Sequence, residues 1–210
     1  MPGRKPWLLA ATLAVVAMAV WRFPLFHIVP LEKAGAPQRV ARFDAAKVAA
    51  EFWEKKLPSA VDRAPELSAL LAALAKDSTA ARQQYGRALG IGGATLFLAR
   101  GTGRVTALED DAVVVTCERP GPPVKLAIGL IFGNTVRDVT GLFDVSAYPD
   151  SQDFNELSTQ LNALVEGKVA SALKRAATVG KAIQFAGCFE LEEGAQPEAL
   201  AVIPLRIGWP

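Results

Sequence analysis

Residues 95–108 read Thr95-Leu-Phe-Leu-Ala-Arg-Gly-Thr-Gly-Arg-Val-Thr-Ala-Leu108, a run of strand-forming residues with two glycines in its middle. A strand of this length with internal glycines is typical of one that bends or bulges to follow a curved sheet. An acidic turn at 109–111 leads into a second apolar run, residues 112–118, and a Pro-Gly-Pro-Pro turn at 120–123 leads into a third, residues 124–131. The pattern predicts three antiparallel strands.

The chain after these strands predicts a helix followed by two more strands. Residues 132–150 are less regular, and a helix is expected over about 152–174, with strands near 181–192 and 200–207. Three strands, a helix and two strands is the order found in OB-type barrels, where the helix plugs one end between strands three and four. The sequence therefore predicts an α+β fold with a small five-stranded antiparallel OB-like barrel. The same order also allows an open α+β sheet.

The chain before the strands is helical from about residue 44 to residue 86. Asp44 can cap the first helix, and Pro58 is expected to end or kink it. Tyr85 followed by Gly86 is typical of a helix end with glycine in the left-handed conformation. We therefore expect a helical preface, residues 35–93, that packs as one unit with the barrel domain, residues 94–210.

Residues 1–34 form the predicted signal or anchor segment with its linker. Arg4 and Lys5 precede an uncharged, mostly apolar run, and no acidic residue appears before Glu32. This arrangement is typical of an export signal or a membrane anchor. Residues 7–29 could hold the protein in the inner membrane, or a signal peptidase could release it near Ala19. Both alternatives place the rest of the chain on the periplasmic side of the inner membrane.

Composition narrows the possible chemistry. Of the 23 lysines and arginines, three precede residue 23, where there is no Asp or Glu, so the rest of the chain carries 20 basic against 21 acidic residues. That balance argues against nucleic acid as a partner. His27 is the only histidine, which excludes a histidine-based triad and a multi-histidine metal site, and no cofactor is predicted. Cys117 and Cys188 could pair in an oxidising compartment or remain free buried thiols.

Four segments occur in an order that resembles a known family: Tyr85-Gly86-Arg87; Gly101-Thr-Gly103-Arg-Val105; Gly129-Leu-Ile-Phe-Gly133-Asn-Thr-Val-Arg137-Asp138; and Gln152-Asp-Phe-Asn-Glu-Leu-Ser-Thr-Gln-Leu-Asn162. Over residues 24–207 the chain resembles the predicted periplasmic lipoproteins of domain-of-unknown-function family 2291. The resemblance implies an exported protein, often encoded beside sugar-type ABC uptake systems, with no established activity. The family's lipoprotein cysteine is missing, because the first cysteine is Cys117, and this leaves the apolar leader as the visible membrane device.

Arg137 and Asp138 are the most interesting pair in these segments. In a loop both could serve one site, with Arg137 offering planar donors to a carboxylate or to sugar hydroxyls and Asp138 accepting hydrogen bonds. Alternatively, Arg137 pairs with a carboxylate such as Asp153 and ties the loop to the following helix. The first alternative makes the two residues ligand contacts, and the second makes Arg137 a structural tie.

Five further residues are candidate ligand contacts. Asn134, Gln152 and Asn162 could add polar contacts to such a pocket, although each also fits a turn or a cap. Tyr85 could stack on a sugar face while Arg87 binds sugar hydroxyls, although a tyrosine in this position also fits a packing role.

Functions from three classes are compatible with these residues. The first is a membrane-tethered, non-enzymatic periplasmic accessory that binds a sugar-like molecule or a component of an uptake system. The second is a carbohydrate-active hydrolase, which would need two carboxylates from Asp138, Asp144, Asp150 and Asp153 about 5 to 9.5 Å apart across a cleft. The third is a purely structural envelope protein.

Overall fold

The computed structural model describes residues 43–88, 94–118, 121–144, 148, 150–195 and 198–210, together with Met18. The chain divides into a unit Met1–Arg42 and a unit Phe43–Pro210. The predicted membrane segment, residues 7–29, lies outside the described residues apart from Met18, which is helical and exposed. Within the described ranges, no helix is both long enough and apolar enough to cross a membrane.

The second unit begins with helices. They are α1 (Ala45–Glu51), a π-helical turn (Phe52–Lys56), α2 (Leu57–Asp62), α3 (Leu67–Lys76) and α4 (Ser78–Tyr85). Asp44 caps α1 by accepting a hydrogen bond from the Lys47 N–H at 2.9 Å. The helix does not end at Pro58, because the chain continues through the π-helical turn into α2, with Pro58 in the first turn of α2. Proline is tolerated there because the first N–H groups of a helix need no partner inside it.

Six strands form one sheet: β1 (Gly86–Ala88), β2 (Thr95–Leu108), β3 (Ala112–Cys117), β4 (Val124–Ala127), β5 (Ala182–Leu191) and β6 (Leu200–Gly208). Their order is β1-β2-β3-β4-β6-β5, and β2 also pairs with β5, so β2 to β6 close into a barrel. The α+β class and the OB-like order are therefore confirmed. Val124–Ala127 is shorter than the predicted strand 124–131, because the chain leaves the sheet after Ala127.

The prediction of a five-stranded antiparallel sheet was wrong in two respects. The pair β4–β6 is parallel, and the short β1 adds a sixth strand along the first residues of β2. The parallel pair has a simple geometric cause, because five strands around a closed ring cannot alternate in direction at every step. β1 forms because the chain leaves α4 directly beside the start of β2.

The two glycines of β2 stand where neighbouring strands crowd the barrel wall. A Cβ atom on Gly103 would lie 2.5 Å from the Thr116 carbonyl oxygen, and one on Gly101 would lie 2.8 Å from the ring of Phe185. β2 pairs with β5 over residues 95–104 and with β3 over residues 103–108, with a register shift between Val105 and Ala107. The expected bulged strand is therefore present, and it lets one strand serve two neighbours.

Gly86 differs from its predicted conformation. Its φ is −97°, which is extended and not left-handed, and it begins β1. A Cβ atom there would collide with the side chain of Thr95 on β2. Glycine is needed at this position for close strand approach.

Between β4 and β5 the chain forms α5 (Thr135–Asp138), α6 (Ser151–Leu164), a π-helical turn (Val165–Ala170) and α7 (Ser171–Ala176). Two buried clusters result. The barrel interior includes Phe97, Val105 and Phe189, and it is plugged by Leu70 of α3 and Leu173 of α7. The second cluster lies between the outer barrel wall and the helices: Ala49, Phe52, Leu57, Val61, Leu96, Ile131, Val136, Val139, Leu157, Leu161, Val165, Val169, Ala186, Cys188 and Leu205. Helices cover this part of the wall, so β5 is buried on both faces.

The two cysteines are free. Cys188 lies opposite Leu98 and Cys117 lies opposite Gly103 on the other edge of β2. Leu98 and Gly103 are five residues apart along β2, which corresponds to about 16 Å of strand. A disulfide needs Cα atoms within about 7 Å, so the two cysteines are too far apart to pair. Burial raises the pKa of the Cys117 thiol and raises the pKa of Cys188 to about 12.

Candidate functional site

The segment 129–138 follows β4 and ends with α5, and its first half is a loop, Gly129–Gly133, fixed at three points. The Ile131 side chain is buried in the second core cluster, and its N–H donates to Glu166 Oε1 at 2.7 Å. The Gly133 carbonyl accepts from Asn162 Nδ2 at 3.0 Å. Gly133 has a φ of +80°, which favours glycine, and it turns the chain into α5.

Arg137 lies in the second half of the segment and is buried, with 5% of its surface exposed. Its Nε and Nη2 donate to the two carboxylate oxygens of Asp138 at 2.6 and 2.9 Å. Its Nη1 donates to the Phe154 carbonyl at 3.1 Å and to Ser158 Oγ at 2.9 Å, both on α6. The carboxylate partner is therefore Asp138, and the arginine joins α5 to α6.

The guanidinium group of Arg137 packs on one aromatic ring, which in turn packs on a second. It lies 3.6 Å from the centroid of the Phe154 ring, and the Tyr148 ring packs on Phe154 with centroids 5.0 Å apart. Burial raises the pKa of the Tyr148 phenol, and the positive charge of Arg137 acts in the opposite direction. The arginine is thus held by a bidentate ion pair, two hydrogen bonds to α6 and a cation–π contact.

A groove of about 480 Å³ lies between the loop and α6. Its polar lining includes Asn134, Asn155, Thr159, Asn162 and Glu166, and Phe132 lies at its apolar side. Asn162 is 7% exposed, and its Oδ1 is the one buried side-chain nitrogen or oxygen in the described ranges without a hydrogen-bond partner. The groove lining therefore offers amides and a hydroxyl, and one of its residues, Asn162, carries a buried acceptor that lacks a donor.

The structure separates the predicted site residues into three sets. Asn134 and Asn162 line the groove, while Arg137 and Asp138 lie behind it, joined to α6. Three others are elsewhere: Gln152 is exposed in the first turn of α6, Tyr85 is exposed at the end of α4, and the guanidinium of Arg87 packs over Gly141.

Two of the four carboxylates considered for hydrolysis, Asp138 and Asp150, have structural contacts. Asp138 accepts two hydrogen bonds from Arg137, and Asp150 caps α6 by accepting from the Gln152 N–H at 2.8 Å. Among the described residues, no group of three or more His, Cys, Asp or Glu side chains could hold a metal ion.

Of the ten residues that line the groove, the sequence predicted only Asn134 and Asn162 as contacts. Phe132, Asn155, Thr159 and Glu166 were not among the predicted contacts, yet the last three, with Asn162, share one face of α6 and its continuation. Their spacing of four, three and four residues is the helical period. A polar stripe beside the apolar stripe of this helix was therefore the available signal.

The fold defines the class of the protein as an OB-fold protein with a helical preface. The chain is similar to the crystal structure of an OB-fold protein from Thermotoga maritima MSB8, with 25% sequence identity and a TM-score of 0.70, over 80% of this chain and 99% of that one. No curated protein matches the chain.

Residues 13–208 match the family described as "Predicted periplasmic lipoprotein (DUF2291)", and the chain belongs to this family. The resemblance seen in the sequence is thereby confirmed. The family description supports a periplasmic location and attachment to a membrane, and it assigns no activity.

Proposed function

We propose that this protein is a non-enzymatic accessory, held at the periplasmic side of the inner membrane by residues 7–29, that binds a small sugar-like ligand beside a sugar-type ABC uptake system. Membership of a periplasmic lipoprotein family supports export and tethering. We assign attachment to the apolar leader itself, because neither cysteine of the chain lies near it to carry a lipid. The groove between the Gly129–Gly133 loop and α6 is the ligand site in this proposal.

The buried oxygen of Asn162 carries the proposal. A buried acceptor without a donor costs about 1–3 kcal/mol, and a ligand hydroxyl that reaches this oxygen, once the groove side chains shift to admit it, recovers part of that cost. Sugar hydroxyls both donate and accept, which suits the amides of Asn134 and Asn155.

Arg137 and Asp138 have an indirect role in this proposal. Arg137 binds Ser158 and the Phe154 carbonyl, and it thereby fixes the turn of α6 that precedes Asn162. The two residues hold the groove without contacting the ligand. Gln152, Tyr85 and Arg87 line other surfaces, and the proposal does not use them.

A thermal-shift screen of the purified protein against monosaccharides and disaccharides tests the proposal. A ligand present at 100 times its Kd stabilises the folded state by about 2.7 kcal/mol, which raises the Tm by several degrees. We expect Asn134→Ala and Asn155→Ala to reduce this shift at equal sugar concentration. Gln152→Ala is the matched control, since it removes an exposed amide of α6 outside the groove and should leave the shift unchanged.

Two results would contradict the proposal. One is a complete absence of shifts, which would favour a structural envelope protein whose Asn162 oxygen binds water. The other is a shift that survives both groove variants, which would place the sugar elsewhere. Release of free sugar from a glycoside during the assay would instead support the hydrolase alternative.

A further inference from the structure

The most exposed large apolar side chains of the described residues lie two positions apart on one loop. Leu130 is 75% exposed and Phe132 is 78% exposed, with Ile131 buried between them. Leu108, 53% exposed, ends β2 at the neighbouring hairpin, whose Asp111 carbonyl accepts from the Ile128 N–H at 2.8 Å. Concentration of large apolar side chains at one place on the surface marks an interaction site.

The loop presents these side chains in a fixed position. The buried Ile131 side chain, the hydrogen bond from its N–H to Glu166 and the hydrogen bond from Asn162 to the Gly133 carbonyl hold the backbone between Leu130 and Phe132. Because the loop is already ordered, a partner that covers the two side chains pays little for ordering it. Aromatic anchors on a preorganised backbone are the residues that contribute most at protein interfaces.

The charges beside the loop distinguish between a membrane and a protein as its partner. The loop itself carries no charge. The nearby hairpin exposes Asp110 and Asp111, and the Cβ atom of Asp111 lies 3.4 Å from where a Cβ atom on Gly129 would be. Lys125, a basic residue of the adjoining strand β4, forms a salt bridge with Glu109 of the hairpin at 2.8 Å. Carboxylates beside the apolar pair are repelled by the anionic surface of a bilayer and attracted by lysine or arginine.

We propose that the Gly129–Gly133 loop docks through Leu130 and Phe132 into an apolar cleft, bordered by lysine or arginine side chains, on another periplasmic protein. The acidic hairpin faces the basic border of that cleft. This inference goes beyond ligand binding in the groove, and it depends on export of the chain and not on the identity of any sugar.

Site-specific photocrosslinking of the full chain in intact cells tests the inference. A benzophenone amino acid is placed at position 130, at position 132 and, as the control, at position 179, where Val179 is 58% exposed in the turn before β5. We expect one heterologous protein adduct from positions 130 and 132, with at least a fivefold lower yield from position 179. Mass spectrometry should locate the attachment in an apolar cleft bordered by basic residues. Asp110→Lys combined with Asp111→Lys should lower the yield from position 130 severalfold.

Several outcomes would overturn the inference. Adducts only with lipid would assign the loop to the membrane, and adducts only with a second copy of the chain would assign it to self-association. Equal yields from all three positions, or no adduct at all, would show that the loop has no specific protein partner. Leu130→Ser separates this inference from sugar binding, because it should abolish the adduct formed from position 132 and leave the sugar-induced thermal shift and the Tm unchanged.

Discussion

The ten residues from Gly129 to Asp138 consist of two halves that use their side chains in opposite ways. In the first half the large apolar residues Leu130 and Phe132 are exposed, whereas in the second half the charged residue Arg137 is buried. From residue type alone, one would expect the charged half to bind a ligand and the apolar half to lie in the core. The contacts show instead that the charged residue Arg137 is buried in a packed joint and that Leu130 and Phe132 lie on the surface.

The difference follows from how each half is attached to the rest of the protein. The first half is held by its backbone and by one buried side chain, Ile131, so its remaining side chains are free to point outward. The second half is a single helical turn packed on α6, and this packing directs Arg137 inward onto the Phe154 ring. Attachment through backbone groups thus leaves large side chains exposed, and attachment through side chains produces a structural joint.

Arg137→Ala is expected to have the largest effect on stability. The substitution removes four hydrogen bonds and leaves the Asp138 carboxylate without its partner, while the Ser158 hydroxyl still donates to the Phe154 carbonyl at 3.5 Å. Breaking a buried ion pair costs about 3–5 kcal/mol, and the partial exposure of Asp138 places the expected loss near the lower end. Urea unfolding followed by tryptophan fluorescence measures it as a lower midpoint with an unchanged m value.

Arg137→Lys is the control for the charge. Lysine keeps the positive charge but cannot reproduce the bidentate fork and the two bonds to α6, so it should recover less than half of the lost stability. If Arg137→Ala unfolds at the wild-type urea concentration yet loses the sugar-induced shift, Arg137 is a ligand contact and the assignment of the two halves is wrong.

Glu166→Ala tests the attachment of the first half. The change removes the acceptor for the Ile131 N–H, and a hydrogen bond to a charged group contributes about 1.5–3 kcal/mol. We expect a loss of about 2 kcal/mol in the free energy of unfolding, measured by urea denaturation. Glu166→Gln retains an acceptor oxygen and should cost less than half as much, whereas equal losses for the two variants would show that the hydrogen bond is not what holds the loop.

Much of the fold could be predicted from the sequence, because its signals are local. Turn residues and the glycines of β2 indicate the strands and the bulge, and strand order indicates the OB type. The parallel β4–β6 pair was predictable in principle, since closure of five strands requires one. The partners of Arg137 on α6 were not, because Phe154 and Ser158 meet it only through the packing of α5 on α6.

Gly133→Ala acts at the junction between the two halves. The φ of +80° at Gly133 costs an L-residue about 1–2 kcal/mol, although a Cβ atom there would meet nothing within 4 Å. We expect a loss of about 1 kcal/mol in urea denaturation, caused by backbone strain alone. Gly133→Asn should cost less, because asparagine tolerates this conformation. Equal losses for alanine and asparagine would point to a steric cause that the open space around Gly133 does not provide.

Phe132→Ser is expected to have the smallest effect on stability, within about 0.5 kcal/mol, because surface substitutions away from packed contacts rarely exceed that value. The adjacent Ile131→Ser replaces a buried side chain and should cost about 3 kcal/mol in the same urea titration. A large loss from Phe132→Ser would mean that its ring packs on the protein in solution, and the first half of the segment would then be part of the core. A small loss together with a lost photocrosslink from position 130 would show that the phenyl ring is retained for a partner, since the fold does not require it.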